Sequence, residues 1–217
     1  MKFLKQIASY FWDIPIEVTS STQNPYLEVV WSMGKKMLNT KEANFSFGNG
    51  YKVFQYAISK ISTKIENAER ILILGFGCGS IQHILENEYH YSNQLFGVEY
   101  DNEIIKLYNT HFKQDFSLNP ILVCDDAQRF IANSTNTFDV IFIDLFAELN
   151  NVPFVFDPDF IKHLIRISPE GTLVFNTIGR NNQDKSNISS LLITLSSHFK
   201  DVKKYSFQEL NQIIVAK

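Results

Sequence analysis

Between residues 71 and 178 this chain alternates short apolar runs with segments of helical periodicity, and that alternation restricts its fold more than any other feature. The apolar runs are ILILG, QLFGVE, PILVC, FDVIFID and TLVFNTI, which end at positions 75, 99, 124, 144 and 178. Because these runs are nearly continuous in apolar residues, they are typical of parallel strands covered by helices on both faces. The pattern therefore predicts a doubly wound α/β fold.

The last two strand-like segments set the direction of one edge of this sheet. DVKKYSF, residues 201–207, and NQIIVAK, residues 211–217, are separated by only three residues. A connection so short cannot cross over to a parallel neighbour, so the two segments must pair in antiparallel fashion. We therefore predict a Rossmann-like, doubly wound, mostly parallel sheet of seven strands that ends in an antiparallel hairpin.

The first 45 residues carry a different pattern. Apolar residues recur at helical spacing over positions 3–11, and the strand-like segments IEVT and YLEVVWS follow them. Helical spacing returns over positions 54–65, just before the first strand of the large sheet, and predicts one helix there. We expect two units, a helix with a small β-hairpin unit at residues 1–45 and a Rossmann-like transferase domain at residues 46–217.

Charge and composition argue against several function classes. The 217 residues carry a net charge of −3 with no block of Lys or Arg, so a dedicated nucleic-acid surface is not expected. The two cysteines, Cys78 and Cys124, and the five histidines show no metal-ligand spacing, so no metal site is expected. No apolar run reaches the ~18 residues of a transmembrane helix, and the first residues do not resemble a signal peptide. We expect a cytoplasmic protein without membrane association.

The strongest candidate binding feature is the glycine loop, LGFGCGS at residues 74–80, which lies directly after a strand and directly before a helix. Gly75, Gly77 and Gly79 let the backbone turn sharply and approach a ligand closely. The following helix begins with free amides and a partial positive charge, which suit a carboxylate, a phosphate or hydroxyl oxygens. A tight strand-to-helix turn without a ligand also favours glycine, so the loop alone does not decide function.

Acids after the next two strands favour a nucleotide site. Glu99, followed by Tyr100, ends the second strand, where doubly wound folds place an acid for ribose hydroxyls. A carboxylate suits that role because its two oxygens can accept from both neighbouring hydroxyls. Asp126 and the small Ala127 follow the third strand and could meet the amine and the ring of a base. Helix capping explains Asp126 equally well.

Two further acids are candidates for a catalytic role. Asp144 ends the apolar strand FDVIFID, and a strand of that kind delivers its last side chain to the ligand crevice at the sheet edge. Glu148 lies in the loop that follows, and the residues around it do not decide whether it faces the site or is solvated.

The order of these segments resembles a known family. ILILGFGCGS, GVEYDNEI, CDDAQRF and FDVIFIDLF, followed by a Pro-Glu-Gly turn, are similar to the class I S-adenosylmethionine-dependent transferases, and most of all to their spermidine synthase-like branch. NPYLEVVWSMGKKML and ANFSFGNGYKVFQYA resemble the N-terminal hairpin of that branch and its lead-in to the sheet. The resemblance covers residues 16–217.

The resemblance implies a role for each candidate residue. The glycine loop, including Cys78, would line the nucleoside and amino-acid portions of S-adenosylmethionine, decarboxylated S-adenosylmethionine or methylthioadenosine. Glu99, beside Tyr100, would hold the ribose hydroxyls, and Asp126 with Ala127 would meet the adenine. The acceptor would be a small molecule, and a homodimer is plausible because members of this family are commonly oligomeric.

Two departures from the family pattern bear on the reaction. Spermidine synthases typically read GGGDGG where this chain reads GFGCGS, so neutral Cys78 replaces an acid that helps read the cationic end of the decarboxylated donor. They also typically read DSSDP after the fourth strand, and the second Asp of that motif helps deprotonate the attacking amine. In this chain Ala147 stands at the position of that second Asp. Asp144 is retained and would lie beside the sulfonium or the acceptor. These departures favour methyl transfer over aminopropyl transfer.

Three other interpretations stay open at this stage. A catalytically degenerate nucleoside-binding or interaction protein of the same fold would also tolerate Cys78 and Ala147. A true polyamine aminopropyltransferase would need other residues to supply the missing acids. A nicotinamide-dependent oxidoreductase is less well supported, because Ser80 stands where the G-x-G-x-x-G pattern needs its third glycine and the terminal antiparallel hairpin fits that class poorly.

Overall fold

The structure, a computed structural model, describes residues 2–41, 44–147, 149–208 and 210–217. The chain begins with a short helix and an antiparallel sheet of four strands in sequential order. Their bounds are α1 Lys2–Ala8, β1 Ile14–Thr19, β2 Leu27–Ser32, β3 Lys35–Thr40 and β4 Asn44–Ser46. The strand-like segments IEVT and YLEVVWS form β1 and β2, so the predicted hairpin is part of a larger antiparallel sheet.

Helices and strands alternate through the rest of the chain. The first half contains α2 Asn49–Ser59, α3 Ser62–Asn67, β5 Arg70–Leu74, α4 Ser80–Tyr89, β6 Gln94–Glu99, α5 Asn102–Leu107, β7 Ile121–Cys124, α6 Ala127–Asn133 and β8 Val140–Ile143. The second half contains β9 Phe146–Ala147, β10 Asn150–Asn151, α7 Pro158–Ile167, β11 Thr172–Ile178, α8 Asn182–Ser196, β12 Val202–Phe207 and β13 Asn211–Ala216. A π-helical segment, Tyr108–Phe112, follows α5 directly.

The large sheet has seven strands in the order β12-β13-β11-β8-β5-β6-β7. Strands β7, β6, β5, β8 and β11 are mutually parallel, and β13 runs antiparallel to both β11 and β12. The predicted fold class is confirmed, including the closing hairpin. Strand order reverses between β5 and β8, which places a ligand crevice beyond the carboxyl ends of these two strands.

Apolar residues are buried on both faces of this sheet. One cluster joins β2 and α2 to β5 through Leu27, Phe54 and Ile71, so the N-terminal sheet packs on the same core as the parallel sheet. The other cluster covers the opposite face with α7 and α8, through residues such as Leu164 and Leu191. Side chains that alternate along each strand thus enter different clusters, as expected for strands covered on both faces. The domain boundary at residue 45 stays a prediction.

One sequence-based prediction was wrong in detail. The single helix predicted over positions 54–65 is two helices, α2 and α3, which are separated at Lys60 and Ile61. Ile61 is nevertheless buried, as are Ile58 before the break and Ile65 after it. The apolar spacing continued across the break because both helices bury the same side of the chain.

Candidate functional site

The glycine loop joins β5 to α4 and takes a backbone conformation that other residues rarely adopt. Gly75, Gly77 and Gly79 have φ values of +84°, +57° and +88°. A Cβ atom on Gly75 would collide with the carbonyl oxygen of Asp144, so the loop passes close against the end of β8. Positive φ and close approach together explain why glycine is needed at Gly75.

The loop is fastened to the end of β6. The backbone N–H groups of Gly75 and Phe76 both donate to the carbonyl oxygen of Val98, at 3.0 and 3.1 Å. The N–H of Gly77 donates to Oε2 of Glu99 at 2.9 Å. These three bonds fix the loop beside the carboxylate that the sequence assigns to the ribose.

Glu99 is a buried carboxylate with both oxygens engaged. Its Oε1 accepts from the N–H of Asp101 at 3.0 Å, and its Oε2 accepts from Gly77. Burial raises the pKa of Glu99 above its ordinary value, while the hydrogen bonds from Asp101 and Gly77 act in the opposite direction. The Tyr100 backbone also hydrogen-bonds to Glu99 and lowers its pKa. A carboxylate has about four acceptor sites on its two oxygens, so capacity for a ligand hydroxyl remains.

Asp144 lies at the end of β8, one strand away from β6 across β5. Its Oδ1 accepts from Nδ2 of Asn176 at 3.0 Å, and Oδ1 of Asn176 accepts from Nδ2 of Asn211 at 3.0 Å. Burial raises the pKa of Asp144 to about 7, the charge of Glu99 adds to that rise, and the Asn176 bond opposes it. The two acids therefore lie close enough to sense each other's charge.

The third strand end contributes Asp126 and Ala127. Cys124, the last residue of β7, is paired with Glu99, and the N–H of Asp125 donates to the Glu99 carbonyl oxygen at 3.1 Å. Oδ1 of Asp126 accepts from the N–H of Arg129 at 3.1 Å, so Asp126 caps α6. The cap uses one carboxylate oxygen and leaves the other available to a ligand.

The predicted site residues therefore end neighbouring strands at one edge of the sheet. Glu99, Asp126 and Asp144 follow β6, β7 and β8, and the glycine loop follows β5 between them. Ala127 is buried beside them, whereas the side chain of Tyr100 is 59% exposed. Their binding roles stay predictions.

Cys78 is completely buried in the first core cluster. Its Sγ lies 4.0 Å from the carbonyl oxygen of Ile104, and its N–H donates to Oγ of Ser46 at 3.0 Å. Burial, with the neighbouring charge of Glu99, raises the pKa of the Cys78 thiol well above its ordinary value. The glycine loop thus carries a neutral side chain at this position.

The loop after β8 forms a short hairpin that the sequence did not predict. Ala147 of β9 pairs with Asn150 of β10, and Phe146 pairs with Asn151. Nδ2 of Asn151 donates to the carbonyl oxygen of Ile178 at 2.7 Å, which ties the hairpin to the end of β11. Glu148, the second predicted catalytic residue, lies outside the described residues, and its role stays a prediction.

Asp101, at the N-cap position of α5, is a second buried acid next to Glu99. Its Oδ1 does cap α5, accepting from the N–H of Glu103 at 2.9 Å. Its Oδ2 accepts from Nδ2 of Asn24 at 2.7 Å and from the hydroxyl of Ser21. Asp101 therefore joins the segment between β1 and β2 to the strand end that carries Glu99. No local pattern signals this contact, because the partners lie far apart in sequence.

Two further observations concern the described ranges only. Across residues 2–41, 44–147, 149–208 and 210–217, His, Cys, Asp and Glu side chains nowhere gather in threes to hold a metal ion. In the same ranges, no helix combines the length and apolar character needed to cross a membrane.

Comparison with known proteins agrees with this geometry. The Spermine/spermidine synthase domain family matches residues 53–208 of the chain. No curated protein matches the chain significantly.

Solved structures of two related kinds share the fold. A spermidine synthase in complex with the transition-state analogue AdoDATO has a TM-score of 0.65 at 16% identity, covering 93% of this chain and 73% of that chain. A probable spermidine synthase from Corynebacterium glutamicum has a TM-score of 0.67 at 18% identity, covering 95% and 77%. Human methyltransferase-like protein 13 in complex with SAH has a TM-score of 0.61 at 21% identity, covering 78% and 82%.

At these identities the structural likeness shows the fold alone, whereas the family match rests on the sequence. The matched segment, residues 53–208, makes up more than half of the 217-residue chain. This protein therefore belongs to the Spermine/spermidine synthase domain family and has the fold of the class I S-adenosylmethionine-dependent methyltransferases.

Proposed function

We propose that this protein binds S-adenosylmethionine and transfers its methyl group to a small-molecule acceptor. The observation that carries the proposal is the bond from the Gly77 amide to the Glu99 carboxylate, which holds the glycine loop beside a buried acid. Proteins of this fold have been solved with SAH and with AdoDATO, so related ligands fit such a crevice.

The residues present fit the parts of this donor. Glu99 would accept from the ribose hydroxyls, and Asp126 with the small Ala127 would border the adenine. The glycine loop would face the amino-acid portion of the donor. An acid at position 78, as in the GGGDGG pattern, would repel the methionine carboxylate there. Because Cys78 is a buried neutral thiol, it adds no such repulsion, and this supports the intact donor over the decarboxylated one.

Asp144 would act on the acceptor. The sulfonium donor supplies an electrophilic methyl carbon, and the acceptor's lone pair forms the new bond while the old carbon–sulfur electron pair returns to sulfur. An acceptor hydroxyl, amine or thiol must also lose a proton. Asp144, with a pKa raised to about 7, is well matched to take that proton near neutral pH. The rest of the chain's contribution is positioning of the two reactants.

Two alternatives rest on the same geometry. Ala147 offers no carboxylate at the position where the family resemblance places one, which favours a nucleoside-binding protein without turnover. A polyamine aminopropyltransferase would instead need the decarboxylated donor, and its cationic end would have no acid at Cys78 to read it.

Product analysis separates these functions. The protein is incubated with S-adenosylmethionine or its decarboxylated form and a panel of small phenols, carboxylic acids, thiols and amines that includes putrescine. We expect S-adenosylhomocysteine and a methylated acceptor from the intact donor, with loss of both in Asp144→Asn and retention in Asp159→Asn, a change at an exposed acid of α7. Methylthioadenosine released with putrescine would contradict the proposal. Donor binding without any product would favour the protein without turnover.

A further inference from the structure

A cavity separate from the strand-end residues lies between the N-terminal sheet and α4. Its volume is about 270 Å³. Its lining includes Lys35, Phe47, His83, Phe112 and Phe116. Its lining includes none of the glycine loop residues and none of the strand-end acids. This volume lies just below the ~300–1,000 Å³ that is usual for ligand pockets, so the cavity suits a molecule built on a single ring.

Aromatic carbon forms much of the wall of this cavity. The rings of Phe47 and Phe112 are stacked with centroids 5.7 Å apart, and the ring of His83 meets Phe47 edge-on at 5.6 Å. The His83 ring also meets Phe116 edge-on at 6.3 Å. Such walls favour an aromatic ligand, since ring pairs at these distances attract beyond the burial of their area.

His83 lines the cavity and has one ring nitrogen available as a hydrogen-bond acceptor. The Tyr51 hydroxyl donates its single proton to Oε1 of Glu88 at 2.9 Å, and Nδ1 of His83 lies 2.9 Å from the same hydroxyl oxygen. Nδ1 must therefore carry the imidazole proton and donate, which leaves Nε2 as an acceptor. Burial and the charge of Lys35 lower the pKa of His83, against the opposing charges of Glu88, Glu86 and Asp115, and this favours the neutral ring.

Lys35 adds a positive charge to the cavity lining. The other lysine of the lining, Lys36, pairs with Asp115 and donates to the carbonyl oxygen of His111. Lys35 lies over the Tyr51 ring, with Nζ 5.1 Å from the centroid, and within the described residues no carboxylate pairs with it. The ring centroids of His83 and Tyr51 lie 5.6 Å apart, so the Lys35 ammonium and the imidazole both lie close to the same tyrosine ring.

We propose that this cavity binds a small aromatic hydroxy acid, with its carboxylate on Lys35, its ring between Phe47 and Phe116, and its hydroxyl donating to Nε2 of His83. This inference does not rest on the proposed transferase activity. Cys78 and Gly79 connect the two sites, because the loop that carries them packs on Ser46 and on the Phe116 ring.

Calorimetric titration with 3-hydroxybenzoate and 4-hydroxybenzoate tests the proposal. We expect saturable binding of at least one isomer and at least tenfold weaker binding of the matching neutral hydroxybenzamide. Lys35→Met should weaken the acid at least tenfold, whereas Lys64→Met, at an exposed lysine of α3, should leave affinity unchanged. His83→Leu should weaken the hydroxy acid and leave the affinity for plain benzoate unchanged.

The remaining outcomes locate the ligand. Glu99→Gln should not alter binding of the acid, since Glu99 lies outside the cavity lining. Absence of saturable binding for both isomers, or equal affinity in wild type and a folded Lys35→Met, would overturn the proposal. If Lys35→Met does not fold, the amide comparison on the wild-type protein still decides, and equal affinity for acid and amide would reject the assignment.

Discussion

The side-chain amide of Asn176 donates to Oδ1 of Asp144 at 3.0 Å, and its orientation is set by Asn211, whose own amide donates to the Asn176 carbonyl oxygen. Three strands, β8, β11 and β13, thus contribute to one polar chain in an otherwise apolar sheet. The arrangement fixes one oxygen of Asp144 and leaves the other for the acceptor.

Asp144→Asn should stabilise the protein and abolish transfer. Because the folded-state pKa of Asp144 is raised from 3.8 to about 7, the folded state binds a proton more tightly than the unfolded chain. The contribution of Asp144 to the free energy of unfolding therefore falls as pH rises from 4 to 7. Above pH 7 this contribution changes no further. The gain in melting temperature of Asp144→Asn over wild type should be larger at pH 8 than at pH 4.5.

Thermal melts across that pH range provide the check, with Asp159→Asn as an exposed carboxylate control that should show no such dependence. A melting-temperature gain that is the same at both pH values would show that Asp144 has an ordinary pKa in the folded protein.

Glu99→Gln should weaken nucleoside binding. The amide nitrogen would face the N–H groups of Gly77 or Asp101, and the charge-assisted bonds to the ribose would be lost. We expect affinity for S-adenosylhomocysteine to fall by about 1–3 kcal/mol, the usual worth of hydrogen bonds to a charged group. Isothermal titration measures it, with Glu66→Gln on α3 as the matched exposed change. Unchanged affinity in Glu99→Gln would reject the ribose assignment.

Gly75→Ala and Gly50→Ala should have opposite effects. At Gly75, φ is +84° and a Cβ would collide with the Asp144 carbonyl oxygen, so alanine should destabilise by at least ~1–2 kcal/mol. At Gly50, in α2, a Cβ would meet nothing within 4 Å, so alanine should stabilise by roughly 0.5–1 kcal/mol. Urea unfolding of both variants checks this, and a neutral Gly75→Ala would mean that the loop is not held against β8.

Asp101→Ala should loosen the N-terminal sheet from the site. The variant loses the α5 cap and two hydrogen bonds from Asn24 and Ser21, a cost of about 2–4 kcal/mol. Asp157→Ala is the matched control, because Asp157 occupies the N-cap position of α7 without a side-chain cap bond. Equal free energies of unfolding for the two variants would contradict the bridging role of Asp101.

Much of the fold could be predicted because its strands are short apolar runs with clear ends. The segment that became β8 was identified from the apolar run FDVIFID, and the closing hairpin from the length of its loop. The break between α2 and α3 escaped prediction because Ile58, Ile61 and Ile65 are buried on both sides of it. The β9–β10 hairpin escaped because strands of two residues carry no periodicity.

The candidate site was predictable where one residue ends one strand. Glu99 and Asp144 stand at such positions, and the structure places them at one edge. Asn176 could have been noticed as the one amide in the apolar run TLVFNTI, but its partner Asn211 is 35 residues away. The contacts of Asp101 with Ser21 and Asn24 span 80 and 77 residues, and such pairings are set by tertiary packing rather than by a local pattern.

The central claim is that the crevice at the ends of β5, β6 and β8 accepts an adenosyl donor that keeps its carboxylate. Parallel titration of the wild-type protein with S-adenosylmethionine and with its decarboxylated form tests this claim most directly. We predict tighter binding of the intact donor than of the decarboxylated one. Tighter wild-type binding of the decarboxylated donor, or no binding of either, would contradict the account.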